Sequence, residues 1–206
     1  MMRFTGFVDS DFETFQVEGL DERMEAIEER IRPKFRALGQ ELTDDLSAKL
    51  GTEMFLHIAK HARRTVNPPK DTWLAIAANK RGYKKHPHFQ VGLFDDFVFI
   101  WLAFIYELPN KQEIAQTFLQ HIDDIKQKTP KDFVISMDHM KKEAASMDEI
   151  DLEKALKRFR DVKKAEFLIG KHILKGDPLL KDGEGLIKMV KNTFDTLIPI
   201  YRLAYK

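Results

Sequence analysis

The chain has 206 residues, of which 43% are hydrophobic and 33% charged, with a formal net charge of +1 and no cysteine. That balance belongs to a folded globular chain, and the missing thiols exclude disulfides, thiolate zinc centres, iron–sulfur clusters and a catalytic cysteine. The small net charge conceals a division: residues 1–56 carry seven Lys/Arg against thirteen Asp/Glu, 57–88 carry eight against Asp71 alone, and 89–206 carry nineteen of each.

The start, MMRFTGFVDSDFETF, has no apolar stretch between a basic start and a small-residue cleavage site, so no export signal is expected. The longest apolar run, Phe97 to Ile105, is half of what spans a bilayer as a helix. These features lead to the expectation of one cytoplasmic α+β domain over residues 1–206, with no membrane partner.

In chain order, Asp9 to Phe15 reads as a short helical turn broken at Gly19, with Asp21 as the cap of a longer helix carrying Met24, Ile27, Ile31 and Phe35 at helical spacing. Pro33 is expected to kink or restart that helix. Leu38, Leu42, Leu46 and Leu50 continue the stripe to a stop at Gly51. The period then changes from helix to strand. Residues 54–60, 72–78, 88–94 and 97–106 read as four strands with short links, an arrangement that favours an antiparallel meander. A helix from Asn110 to about Lys128, a strand over 133–137, a helix over 151–163, a strand over 167–174 and a final helix after Gly185, bent at Pro199, complete the pattern. The predicted fold is a mainly antiparallel sheet covered by N-terminal, middle and C-terminal helices. The run FVFIWLAFI, with Trp101, reads as core.

The strings DFETFQVEGLDERMEAI, HIAKHARRTVNPPKDTWLAIA and KRGYKKHPHFQVGL resemble the uncharacterised bacterial YktB-like family, found mainly in Gram-positive bacteria. The likeness runs over most of the chain. It implies a compact α+β fold and a cytoplasmic protein, and it brings no catalytic or binding residues with it.

The basic segment is the first functional candidate. Lys60, Arg63, Arg64, Lys80, Arg81, Lys84 and Lys85 could neutralise phosphate or carboxylate, with Trp73 and Tyr83 placed to stack on a ring. The expected function is binding of a phosphate-bearing or other anionic ligand, either a small molecule or single-stranded nucleic acid. Successive links of a meander lie at opposite ends of the sheet, so the two basic strings need not meet. Basic loops also protect strand edges, and the acidic first 56 residues could cover this charge. The histidines are the second candidate. His57 and His61, four apart, and His86 and His88, two apart, fall on common sides of their segments and suggest an alternative, a small metal-dependent enzyme acting on a phosphorylated substrate. A catalytic zinc site wants a third ligand and an adjacent carboxylate, only Asp71, Asp95 and Asp96 are near in sequence, and there is no HExxH motif, so no metal ligand set and no cofactor is assigned. GxGxxG, GxxxxGK[ST] and GxSxG are absent. The DGEG at 182–185 could offer N–H groups to an anion, or simply start a helix. Asp138 and His139, adjacent in what reads as the end of a strand, would point to opposite faces, which argues against a dyad.

Overall fold

The computed structural model describes residues 3–206. The acidic first quarter is helical: α1 (Asp9–Glu13), α2 (Leu20–Ala26) and α3 (Arg32–Leu50). Asp21 lies in the first turn of α2 instead of capping it; Gly19, at φ 86°, holds the cap position. The disturbance expected at Pro33 appears just upstream, where Ile27–Ile31 widens into a π-turn between α2 and α3. Proline has no N–H to give the carbonyl four residues back, and a widened turn is one way to accommodate that loss. Gly51, left-handed at φ 68°, ends α3 with its N–H donating to the Ser47 carbonyl.

Seven strands follow: β1 (Phe55–Ile58), β2 (Thr72–Ala77), β3 (His88–Leu93), β4 (Phe97–Phe104), β5 (Val134–Ser136), β6 (Ala145–Ser146) and β7 (Phe167–Leu174). They form one sheet in the order β1-β2-β3-β4-β7-β5-β6, antiparallel at every pairing. The first four make the expected meander. The expected 110–128 helix is divided at His121 into α4 (Lys111–Gln120) and α5 (Ile122–Lys128). Capped α6 (Leu152–Asp161) and α7 (Gly183–Leu203) complete the chain, and α7 runs through Pro199. Asp182 caps α7 by accepting from the Gly185 N–H at 3.0 Å, so the DGEG string serves its own helix. Among the described residues no helix is long and apolar enough to cross a membrane.

Alternation along the strands gives the sheet two unlike faces. Leu74, Ile76, Phe89, Val91, Val98, Ile100, Leu102 and Phe104 point to the helices and join one apolar core with α3, α4, α6 and α7. There Phe89 meets Phe194 and Tyr201 at ring distances of 4.8 and 5.1 Å, and Phe104 meets Phe118 edge-on at 5.1 Å. The opposite face carries Trp73, Ala75, Phe97, Phe99, Trp101, Ala103 and Leu168. Gly92 leaves the space that the Phe99 ring fills; a Cβ there would collide with that ring and with the Thr72 carbonyl. Connecting segments cover this face: residues 59–71 and 78–87 bring His61 and Tyr83 over it, and the β5–β6 link brings His139 to Trp73.

Candidate functional site

The link between β2 and β3 is shaped by its own side chains. Asn79 Oδ1 accepts from the N–H of Arg81 at 2.9 Å and of Gly82 at 3.3 Å, a turn that asparagine forms readily. The Asn79 carbonyl accepts from His57 Nε2 at 2.8 Å, which ties the link to β1. The Tyr83 ring folds back onto the sheet, 5.5 Å from the His57 ring and 4.9 Å from His88, and its hydroxyl accepts from Trp73 Nε1 at 3.0 Å. Burial pushes the Tyr83 phenol up to about 12.

These ties open a groove of about 830 Å³ along the edge strand β1. His57 and Lys60 line one side; Lys80, Arg81, Tyr83, Lys84, Lys85 and His86 line the other, with Glu107 as its one acid. The two basic strings therefore meet in part. They meet because β1 is an edge strand, so that a groove along its length reaches the link at the far end of β2. Arg63 and Arg64 do not line it. Arg64 instead acts electrostatically on Arg23, His61 and Asp71. Trp73 is also outside the groove, 7% exposed and part of the second-face core.

Among the described residues, no acidic side chain of residues 3–56 comes within ion-pair distance of a basic one of the 57–88 segment. Those acids pair with Arg32, Lys34, Lys49, Lys181 and Lys191. Among the described residues only Lys84 of the groove has a counter-charge, Glu107 at 3.4 Å. A second, larger depression of about 920 Å³ lies between the N-terminal segment, α3 and α7, lined by Arg3, Arg36, Glu41, Asp44 and Glu184, and there the two signs of charge are mixed.

The histidines separate. His61 has left the strand, with φ 52°, and its Nε2 lies 3.1 Å from Thr72 Oγ1 while its ring meets the edge of Trp73; it does not join His57. His88 is fully buried, with Nδ1 2.8 Å from the His86 carbonyl and Nε2 2.8 Å from Gln90 Nε2, so the ring is a neutral tautomer with both nitrogens engaged. Burial lowers His88 to about 3 and, with help from Arg64 and Arg32, His61 to about 4. Of the four, only His57 and His86 reach the groove.

A second cluster on the same face includes Asp138 and His139, which strand alternation was expected to separate. β5 ends at Ser136, so strand alternation does not separate Asp138 from His139. Glu166, 3% exposed and immediately before β7, accepts on Oε2 from His139 Nδ1 at 2.7 Å and from the His139 backbone N–H at 2.8 Å. Burial pulls the His139 pKa down, but the hydrogen bond and charge of Glu166, with Asp71 and Asp138, outweigh it and leave it raised. Asp71 is 1% exposed, and neither carboxylate oxygen has a hydrogen-bond partner in another of the described residues. Burial raises its pKa to about 6, against the opposing charges of His139 and Arg64. The signal that could have found it was its position as the one acid in the basic segment.

The family model described as a domain of unknown function, DUF1054, matches residues 7–201. The chain belongs to the DUF1054 family. A UPF0637 protein of Oceanobacillus iheyensis is 63% identical over 200 residues, 97% of this chain and 96% of that one. One of Shouchella clausii is 60% identical over 203 residues, 98% and 96% of the two chains, and one of Listeria welshimeri 54% over 203 residues, 98% and 99%. These full-length bacterial relatives bear out the resemblance read from the three strings. In this DUF1054 chain the sheet edge thus carries a cationic groove, and behind it lies a buried layer of aromatic rings, imidazoles and carboxylates.

Proposed function

We propose that this DUF1054 protein binds a phosphate-bearing anion in the groove along β1. The observation that carries the reading is the uncompensated charge. Among the described residues Lys60, Lys80, Arg81 and Lys85 line one groove without an acidic partner, although the chain holds nearly as many acids as bases. Like charges held together destabilise a fold unless a counter-charge arrives, and a ligand with several anionic oxygens supplies it. Lysines provide point charges and Arg81 a planar fork suited to paired phosphate oxygens. Tyr83 and His57 form an aromatic floor compatible with a nucleotide base beside the phosphates.

The test is thermal unfolding with inorganic phosphate, pyrophosphate, nucleoside triphosphates and a short single-stranded oligonucleotide. Stabilisation that rises with the number of phosphates and is lost in Lys84→Glu/Lys85→Glu supports the groove. No stabilisation by any of them at low salt removes the reading.

A further inference from the structure

We propose that Asp138, His139 and Glu166 form a binding site for a first-row divalent cation such as zinc or manganese, independent of the anion groove. One donor atom from each residue falls within a common 4.8 Å, the dimensions of a coordination shell. One imidazole and two carboxylates make a nitrogen and oxygen donor set that suits these ions, and three protein ligands leave coordination positions open for water or substrate. The donors come from two elements fixed to one another. Glu166 immediately precedes β7, the neighbour of both β4 and β5, and also accepts weakly from the Tyr106 N–H at 3.4 Å, while Asp138 and His139 lie two and three residues beyond the end of β5.

A second observation points to the same place. Asp71 leads into β2 two residues before Trp73, and strand alternation puts both side chains on one side. The Trp73 ring meets His139 edge-on at 5.9 Å. The carboxylate of Asp71 is buried there with no donor from any other of the described residues, and its charge acts on His139. A buried carboxylate without donors is costly. A cation beside His139 would offset its charge, and a water on that cation would supply the missing donor, as outer carboxylates do in metal sites. Asp138, whose side chain is 43% exposed, gives the ion a way in; its Oδ2 has a surface contact with Lys141 at 3.6 Å to give up, while its Oδ1 accepts from the Met140 N–H at 3.0 Å.

The experiment is calorimetric titration of the untagged protein with Zn²⁺ and with Mn²⁺, alongside Asp138→Asn, Asp71→Asn and Lys80→Glu/Arg81→Glu. Asp138 is chosen because its exposed side chain can be changed without disturbing the core. The proposal expects one equivalent of at least one ion, with affinity at least tenfold weaker in Asp138→Asn, weaker in Asp71→Asn and unchanged in the groove variant. No stoichiometric uptake of either ion overturns it. So does uptake unaffected by Asp138→Asn, which would place the ion on other histidines. Because the groove variant is read in the same titration, failure of the cation site and failure of the anion groove are separable.

Discussion

The two faces of the sheet are built from the same strands but on different physical terms. The helix face is hydrocarbon against hydrocarbon, with Leu74, Ile76, Phe89, Val91, Ile100 and Leu102 fully buried under α3 and α7. The other face buries Asp71, His88 and Gln90 almost completely and Glu166 nearly so, among two tryptophans and a tyrosine. Apolar packing stabilises in proportion to area and needs no partner, whereas each buried polar group needs a matched one. Most find it: Trp101 Nε1 donates to His172 Nε2 at 3.2 Å, Trp73 to Tyr83, and His139 to Glu166. Asp71 does not. The first face accounts for the fold, and the second holds the groups whose arrangement the fold alone does not require.

The largest expected effect lies on the helix face. Phe104→Ala opens a cavity between Phe118, Phe159 and Phe167 and should cost about 3–5 kcal/mol in denaturant unfolding. A loss under about 1 kcal/mol would mean that this face is not the close-packed one.

Next is Asp71→Asn, which should stabilise. The folded carboxyl titrates near 6 against 3.8 in the unfolded chain, so the unfolded state ionises first and the charged form is penalised in the fold. Wild-type stability should therefore fall as pH rises from about 4 to 6, and by pH 8 Asp71→Asn should be the more stable by about 2–3 kcal/mol. His139 acts in the same direction, since its raised pKa gives stability below 6.5 that is lost as pH rises through the folded value. His88, His61 and His172, all lowered by burial, act oppositely and favour the fold as pH rises toward 6.5. The difference between variant and wild type removes the contributions of His88, His61 and His172 and reports Asp71 together with the part of the His139 shift that its charge causes. Equal stability at pH 5 and 8 for that difference would contradict the account of the second face.

Smaller still is Trp73→Phe, which removes the donor to Tyr83 and should cost about 1–2 kcal/mol, seen together with a Tyr83 pKa raised further, because the Trp73 N–H favours the phenolate. The smallest effect belongs to the groove. Lys80→Ala and Arg81→Ala should change stability by less than about 0.5 kcal/mol, or raise it slightly, because both side chains are exposed and neither has an acidic partner among the described residues.

How much of this was legible in the sequence follows the same division. Alternation over 54–59, the aromatic run after Asp96 and the Gly51 stop placed strands and helices within a residue or two of the observed elements. The short β6 was not visible, because two residues carry no period. His121 interrupts a helix whose apolar pattern continues through Ile122 and Ile125, so periodicity joined what the backbone separates. At the groove the charge of the segment was plain, while the partial meeting of its two halves depended on β1 being an edge, which only sheet order decides. The Glu166 and His139 pair lies 27 positions apart and joins through β5 beside β7, a pairing no local spacing announces. Trp73, read as a stacking platform, sits instead in the core with its one donor spent on Tyr83.

The central claim, that the groove along β1 is a polyanion site, is tested most directly by fluorescence anisotropy of a labelled single-stranded oligonucleotide at about 50 and about 200 mM salt. Wild type, Lys80→Glu/Arg81→Glu and Arg63→Glu/Arg64→Glu are compared. The account predicts salt-sensitive binding that the first variant loses by at least tenfold and the second, outside the groove, retains to a larger extent. Equal loss in both variants, or no salt-sensitive binding at all, would contradict it.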